Sequence, residues 1–197
     1  VYDLSRIVGY VFQNPDHQIA KNSVLEEIIF GALNFGIPRE EAEKQALELM
    51  RTLGLEGKKD EHPFFLSKAE RQRVAIASVL SWSPDIIIVD EPTTGQDMRQ
   101  SYEIMNVLQK IHQSGKTVII ITHNINLVCQ YAKRVAVMNA GNILIEGTPE
   151  YVFSFPELLE KTAIKPPQIN QLASRFTDEG FPRGIFTVNQ LVDVFKK

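Results

Sequence analysis

The sequence predicts an α/β fold in which a parallel β-sheet carries an inserted helical subdomain. Residues 86–89 and 117–121 form two continuous apolar runs, which are typical of parallel strands covered by helices on both faces. Residues 104–111 lie between them and carry an apolar stripe at helical spacing, which predicts a strand–helix–strand unit. Helical spacing dominates residues 14–82, so we place the helical subdomain there.

The elements before this unit follow from local patterns. A short apolar run at residues 7–12 predicts a buried strand, and a turn containing Pro15 ends it. Two segments of helical spacing follow, at residues 22–36 and 42–53, and Pro38 suits the first turn of the second helix. Ser67 is a typical N-cap residue, so a further helix should begin beside it.

The elements after the unit are two strands and a tail. A turn of Asn and Gly residues joins apolar runs at residues 135–138 and 143–145, which predicts a pair of strands. Thr148 and Pro149 open another helix. Residues after 155 are interrupted by prolines, and we expect them to form a tail that is separate or only loosely attached.

Composition narrows the class of protein. The chain has 197 residues, a hydrophobic fraction of 44% and a net charge of -3, so it can bury a core but lacks the basic excess typical of nucleic-acid binding. Cys129 is its one cysteine, which excludes an internal disulfide. No apolar run reaches the roughly 18 to 20 residues needed to cross a bilayer. Any membrane role should therefore come through a partner.

Two carboxylates and a histidine form the candidate site. Asp90 and Glu91 directly follow the run at residues 86–89, at the strand end where open α/β sheets bind ligands. In a phosphate site such an Asp can hold Mg²⁺, and such a Glu can polarise the attacking water. His123 follows the second apolar run, so it should share an edge with Glu91 if the strands are neighbours. Taken alone, an acidic pair after a strand is more often a solvated strand end. A lone histidine is commonly a surface or core imidazole, but the position of His123 at a strand terminus favours a functional role.

Five motifs in a fixed order resemble the ATP-binding subunits of ABC transporters. The motifs are VGYVFQNP at residues 8–15 (Q-loop), LSKAERQR at 66–73 (in place of the LSGGQ signature), IIIVDE at 86–91 (Walker B), TTGQD at 93–97 (D-loop) and His123 (H-loop). The resemblance covers residues 7 to about 150. Residues 12–18 are most similar to the energy-coupling-factor branch, which imports vitamins or cobalt and nickel ions.

The resemblance implies a role for each matched residue. Gln13 would sense the γ-phosphate and Mg²⁺, and Asp90 would hold Mg²⁺ through water. Glu91 would polarise the attacking water, and His123 would steady the γ-phosphate. Asp97 would cross a dimer interface. The implied cofactors are therefore ATP and Mg²⁺.

The same resemblance implies partners, a location and a domain plan. A second, non-identical ABC ATPase subunit would pair with this chain, and a transmembrane component would contact the helical subdomain at the cytoplasmic face of the membrane. No nucleic-acid partner is implied. Residues 1–150 would be a nucleotide-binding domain of P-loop NTPase type, with a helical subdomain at 14–82 and a sheet-based core at 83–150. Residues 151–197 would be a C-terminal extension.

One departure from the family pattern concerns the phosphate-binding loop. The family motif G-x-x-x-x-G-K-[ST] should precede Gln13, and residues 1–12 contain nothing that matches it. We therefore interpret the chain as an N-terminally truncated fragment that does not bind ATP usefully by itself. Because the loop's strand is central to the family sheet, we also expect uncovered apolar surface on the neighbouring strands.

A second departure concerns the signature. Ser67 is retained, but Lys68 and Ala69 replace two glycines, and Glu70 replaces a glutamine. In the family these residues face the partner's ATP, and the glycines allow a close approach of the helix N-terminus to phosphate. The functional interpretation is a degenerate ATP site in an asymmetric dimer, and the alternative is tolerated drift with Lys68 as an extra phosphate contact. Rival functions are a non-catalytic ABC partner subunit and a soluble ABC-type ATPase.

Overall fold

A computed structural model describes residues 2–162, 164–176 and 184–196. The chain forms two compact units, Val1–Ile121 and Thr122–Lys197. Each unit has its own secondary structure, and the candidate carboxylates belong to the first. The domain boundary predicted near residue 150 stays a prediction.

The first unit is built on a three-stranded parallel sheet in the order β1-β2-β3. The strands are β1 (Val8–Val11), β2 (Ile86–Asp90) and β3 (Thr117–Ile121). Helix α5 (Met98–Gln113) connects β2 to β3 and packs on β3. This arrangement confirms the predicted α/β fold with a parallel sheet, and it confirms that the two long apolar runs are neighbouring strands.

Helices fill the stretch between β1 and β2, which confirms the inserted helical part. A short helix α1 (Tyr2–Ile7) precedes β1. After a 3-10 turn come α2 (Val24–Asn34), α3 (Arg39–Thr52) and, following a second such turn, α4 (Lys68–Leu80). Helix α2 packs on both α3 and α4, and most side chains of α4 are buried. Ser67 caps α4 as predicted.

Two of the strands are more exposed than the sequence predicts. Ile119 is 46% exposed and Ile121 is 49% exposed, so the prediction of a fully buried strand at 117–121 is wrong. The predicted buried strand at residues 7–12 is also wrong in part, because Tyr10 and Phe12 are both exposed. Among the described residues, β3 pairs with β2 alone and forms an edge of the sheet. Apolar surface is therefore uncovered on these strands, as we expected.

The second unit contains helix α6 (Ile125–Tyr131) and an antiparallel pair of strands, β4 (Val135–Asn139) and β5 (Asn142–Gly147). Ala140 and Gly141 join the strands, and their φ angles of +47° and +80° suit the tight turn that the sequence predicts. The remaining helices are α7 (Pro149–Val152), α8 (Pro156–Glu160), α9 (Gln168–Ser174) and α10 (Val188–Phe195).

The tail is tied to the second unit by its own core. Leu159 and Phe186 are buried against Val137, Val152 and Phe153. A loosely attached tail was therefore a wrong expectation for these residues, because its apolar side chains complete a cluster that the hairpin alone would leave open. In the part of the chain that the structure describes, no helix has the length and apolar character to traverse a bilayer.

Candidate functional site

Asp90 is the last residue of β2 and lies beside a tyrosine from the neighbouring strand. The Tyr10 hydroxyl donates a hydrogen bond of 2.9 Å to Asp90 Oδ2. This bond raises the pKa of Tyr10, and slight desolvation and the negative charge of Asp90 add to the shift. Tyr10 thereby orients the carboxylate that the sequence singles out for Mg²⁺. Sequence analysis missed it because the contact depends on the pairing of β1 with β2.

Glu91 has an unusual backbone conformation. Its φ is +43°, in the left-handed region that side chains other than glycine rarely adopt. Its N–H donates to the Ile121 carbonyl over 2.8 Å, which extends the pairing of β2 with β3 by one residue. The Thr94 hydroxyl donates to Glu91 Oε2 over 3.3 Å. The carboxylate is therefore placed by a turn and held by a neighbour within that turn.

The turn at residues 92–97 returns the chain to helix α5. Pro92 and Thr93 are buried, and Gln96 donates from its backbone to the Thr93 carbonyl and from its side chain to the Pro92 carbonyl, both over 3.2 Å. Asp97 is exposed and caps α5 by accepting the Gln100 N–H over 2.8 Å. The structure thus gives Asp97 a local role, and its predicted role at a dimer interface stays a prediction.

Ser67 and Glu70 bind each other in a reciprocal capping box at the start of α4. Glu70 Oε2 accepts from the Ser67 hydroxyl over 2.7 Å and from the Ser67 N–H over 2.8 Å, while the Glu70 N–H donates to Ser67 Oγ. These bonds lower the pKa of Glu70; burial opposes the shift, and Lys58 and Arg73 add to it. Glu70 is therefore ionised at neutral pH and occupies the Ser67 donors.

Lys68 and Ala69 sit differently from each other at this helix start. Ala69 is buried, whereas Lys68 is exposed and its Nζ donates to the Thr94 carbonyl over 2.8 Å. Lys68 thus connects the signature segment (residues 66–73) to the turn that follows Glu91. The sequence does not predict this contact, because a lysine that faces solvent and a lysine bound to a distant carbonyl cannot be told apart from sequence alone.

Gln13 is exposed just after β1, and its neighbours make the contacts to α4. Gln18 accepts the Phe12 N–H over 3.2 Å and donates to the Ala75 carbonyl and the Ser78 hydroxyl over 2.9 and 3.0 Å. A salt bridge of 2.7 Å between Arg71 Nε and Asp16 Oδ1 adds a second link. Gln18 could be noticed in the sequence only as a polar residue close to Gln13. The sequence does not show that its side chain, rather than that of Gln13, turns toward α4.

His123 is exposed and belongs to the second unit, two positions beyond the end of β3. The condition that we set for its role, that β2 and β3 be neighbours, is met. Its place beside Glu91 stays a prediction.

The chemistry of the donors fits Mg²⁺ held largely by a nucleotide. Among the described residues, no group of three or more His, Cys, Asp or Glu side chains could hold a metal alone. Magnesium commonly binds through one or two carboxylates together with substrate phosphates and water, and Asp90 supplies one such carboxylate. Asp90 therefore suits a metal that arrives with its phosphates.

A Gly-Lys-Thr sequence at residues 115–117 is not a phosphate-binding loop. It lies at the opposite, amino-terminal end of β3 from Glu91, and Lys116 Nζ donates to the carbonyl and the hydroxyl of Ser83, each over 2.9 Å. Its lysine is thus used to join the turn before β3 to the turn before β2.

The sequence and the structure are similar to those of ABC transporter ATP-binding proteins. The sequence profile of the ABC transporter family matches residues 2–94. The energy-coupling factor transporter ATP-binding protein EcfA2 of Streptococcus thermophilus is 40% identical over 190 residues, which cover 95% of this chain and 68% of that protein. The structure of cbiO1 from Clostridium perfringens, described as part of the ABC transporter complex cbiONQ, has a TM-score of 0.73 and 37% identity and is matched over 69% of its length by 88% of this chain.

Other relatives are much longer than this chain. An ABC transporter ATP-binding protein of Methanosarcina mazei is 42% identical over 189 residues, which are 95% of this chain and 32% of that protein. The chain therefore spans about a third of the length of some relatives and about two thirds of others.

The capping box gives a prediction about stability and pH. Replacing Ser67 with alanine should lower the free energy of unfolding by about 1 kcal/mol at neutral pH, because a cap is lost. The folded pKa of Glu70 lies below its ordinary 4.5, so the stability due to its ionised form is present above pH 4.5 and lost as pH falls through the folded value. The deficit of the Ser67→Ala variant should shrink over that range in denaturant titrations at several pH values.

The matched control is Ser23, the N-cap of α2, whose side chain accepts from the Glu26 N–H over 3.3 Å. Ser23→Ala removes a cap without touching Glu70, so its deficit should change less with pH. An equal pH dependence in the two variants would contradict the role that we give to Glu70.

Proposed function

This chain belongs to the ABC transporter family of ATP-binding subunits, in its energy-coupling-factor-like branch, and we propose that it supplies the hydrolytic carboxylates of an ATPase that drives import. The observation that carries the proposal is the position of Asp90 and Glu91 at the carboxyl end of β2, a strand paired in parallel with β3. Its partners would be a second, non-identical ATPase subunit and a transmembrane component at the cytoplasmic face of a membrane.

Each residue would contribute one part of the chemistry. Asp90, oriented by the Tyr10 hydroxyl, would hold Mg²⁺. When bound, the ion would neutralise part of the phosphate charge. Glu91, held by Thr94, would accept a hydrogen bond from the attacking water and raise its nucleophilicity. Gln13, which follows β1, and His123, which follows β3, would each contact the γ-phosphate.

The helical part would receive the transmembrane component. Three aromatic rings support this assignment, because Phe30, Phe64 and Phe65 are exposed in and beside the helices between β1 and β2, Phe65 by 86%. Phe64 and Phe65 are adjacent in the chain, and contiguous exposed apolar groups mark protein-binding surfaces. The net charge of -3 speaks against the rival of an ATPase acting on nucleic acid.

The 197 residues contain no G-x-x-x-x-G-K-[ST] motif, the phosphate loop that the family pattern places before Gln13. Such a loop supplies backbone N–H groups and a lysine to the phosphates. We therefore propose that these residues by themselves neither bind nor hydrolyse ATP usefully.

Calorimetric titration of the 197-residue chain with Mg²⁺ and ATP should show no saturable binding up to about 1 mM, the upper end of ordinary KM values. A longer form that includes a phosphate loop serves as the positive control. Saturable binding by the 197-residue chain would overturn this part of the proposal.

Replacement of Glu91 by glutamine tests the catalytic assignment. In the complete ATPase with its partner, Glu91→Gln should lower turnover by about two orders of magnitude or more, since the general base is lost. Glu56→Gln, at an exposed position away from the sheet, is the matched control and should leave turnover unchanged. Transport at the wild-type rate with Glu91→Gln would refute the catalytic role.

A second candidate function, a non-catalytic partner at one ATP site, is favoured by the signature segment. The Ser67 hydroxyl and N–H are bound to Glu70, so they are not free to donate to a partner's phosphate. An ionised Glu70 at a helix start also places negative charge where an anion would bind. We propose that the ATP site facing this segment turns over slowly.

Glu70→Gln tests this second candidate, because glutamine keeps the capping box and removes the charge. The change is best made in a Glu91→Gln background, where remaining turnover comes from the site that faces the signature segment. Turnover should then rise several-fold, by about 0.5–1 kcal/mol of transition-state free energy, the size of a helix-end charge effect. Unchanged turnover would favour tolerated drift in the signature.

A further inference from the structure

We propose that Lys68 is a positioning residue for Glu91 and that it acts through Thr94. The inference rests on the proposed function, in which Lys68 lies in the segment that faces one ATP site and Glu91 serves the other. It adds a direct connection, within one chain, between the parts that serve the two sites.

The connection is a chain of hydrogen bonds inside the first compact unit. Lys68 Nζ donates to the Thr94 carbonyl over 2.8 Å, and the Thr94 hydroxyl donates to Glu91 Oε2 over 3.3 Å. The Thr94 N–H also donates to the Glu91 carbonyl over 3.2 Å. Thr94 is thus held at its carbonyl by Lys68 while it holds Glu91 at two points.

Gly95 shows how closely the lysine approaches the turn. A Cβ added at Gly95 would lie 2.9 Å from Lys68 Nζ, and the φ of Gly95 is +73°. Both facts favour glycine at this position, because a side chain would strain the backbone and push the ammonium away. The turn is therefore shaped so that Lys68 can reach the Thr94 carbonyl.

Glu91 stands where strand β2 passes into the turn. Its N–H is paired with the Ile121 carbonyl, and its φ of +43° takes the chain out of the strand, so the carboxylate lies beside the turn that follows. A general base must lie within hydrogen-bond reach of the water that it activates, and a displacement of about 1 Å can cost a large factor in rate. Fixing Thr94 therefore limits how far the Glu91 carboxylate can move.

Lys68 is well suited to a substitution test. It is exposed and occupies the first turn of α4, where a positive charge opposes the helix dipole, so replacing it should not destabilise the helix. Lys68→Met keeps the length of the side chain and removes the donor. Lys68→Arg keeps a donor and a positive charge.

In the complete ATPase with its partner, Lys68→Met should lower kcat about fivefold or more, as expected for a misplaced base, with KM for ATP unchanged. Lys68→Arg should retain at least about half of the wild-type kcat, because it can still bind a carbonyl. Lys59→Met, at an exposed lysine beside Asp60, is the matched control and should change neither constant. Unchanged kcat in Lys68→Met would overturn the proposal.

The intermediate residue provides a second test. Thr94→Val removes the hydroxyl and should lower kcat, whereas Thr94→Ser keeps the hydroxyl and should not. The double variant Lys68→Met/Thr94→Val should be no worse than the poorer single variant, because both changes break the same connection. Independent, multiplying effects would overturn the proposal.

Hydrogen exchange separates this inference from the proposed function. In the 197-residue chain, without nucleotide or partner, Lys68→Met should speed exchange at the Thr94 and Gln96 N–H groups, which bond within the turn. Unchanged exchange would refute the connection whether or not the protein is an ATPase. Full activity of Glu91→Gln would instead refute the proposed function and leave the exchange result standing.

Discussion

The parallel pairing of β2 between β1 and β3 is the constraint on which the rest of the site depends. The register sets Asp90 opposite Ile121, and the Glu91 N–H continues the pairing to the Ile121 carbonyl. The same pairing brings Tyr10 within hydrogen-bond distance of Asp90. Because side chains alternate along a strand, a shift of one residue would turn Asp90 to the other face of the sheet and break each of these contacts.

Helix α4 supplies the second fixed surface, and it is joined to the sheet from two sides. At the exit of β1, Gln18 bonds to the Ala75 carbonyl and Asp16 forms a salt bridge with Arg71. At the exit of β2, Lys68 bonds to the turn that follows Glu91. Two of the three strand ends that carry candidate residues are therefore tied to one helix, and a movement of α4 would displace both.

Sequence patterns predicted the parts of this fold that depend on interactions between residues close in the chain. The cap at Ser67, the helix that follows it and the strand that ends at Asp90 all appear as the sequence indicates, because capping and apolar periodicity act over a few residues. The exposure of Ile119 and Ile121 was not predictable in this way, since an apolar run does not say what lies beside the strand. The contacts of Lys68 and Gln18 span 26 and 57 positions, so they exist only once the fold is formed.

The substitutions in the signature segment bind its donors within the chain. In the family pattern a glycine and a glutamine stand at the positions of Lys68 and Glu70, and neither would bring a charge to the start of α4. Here Glu70 takes the Ser67 donors, and Lys68 is bound to the Thr94 carbonyl. A donor that is already bound within its own chain must break that bond before it can serve a phosphate across an interface, which weakens the interaction by the strength of the bond lost. On the proposed function, Glu70 therefore weakens the facing ATP site while Lys68 braces the turn beside Glu91, and an asymmetry between the two sites follows from two residues at one helix start.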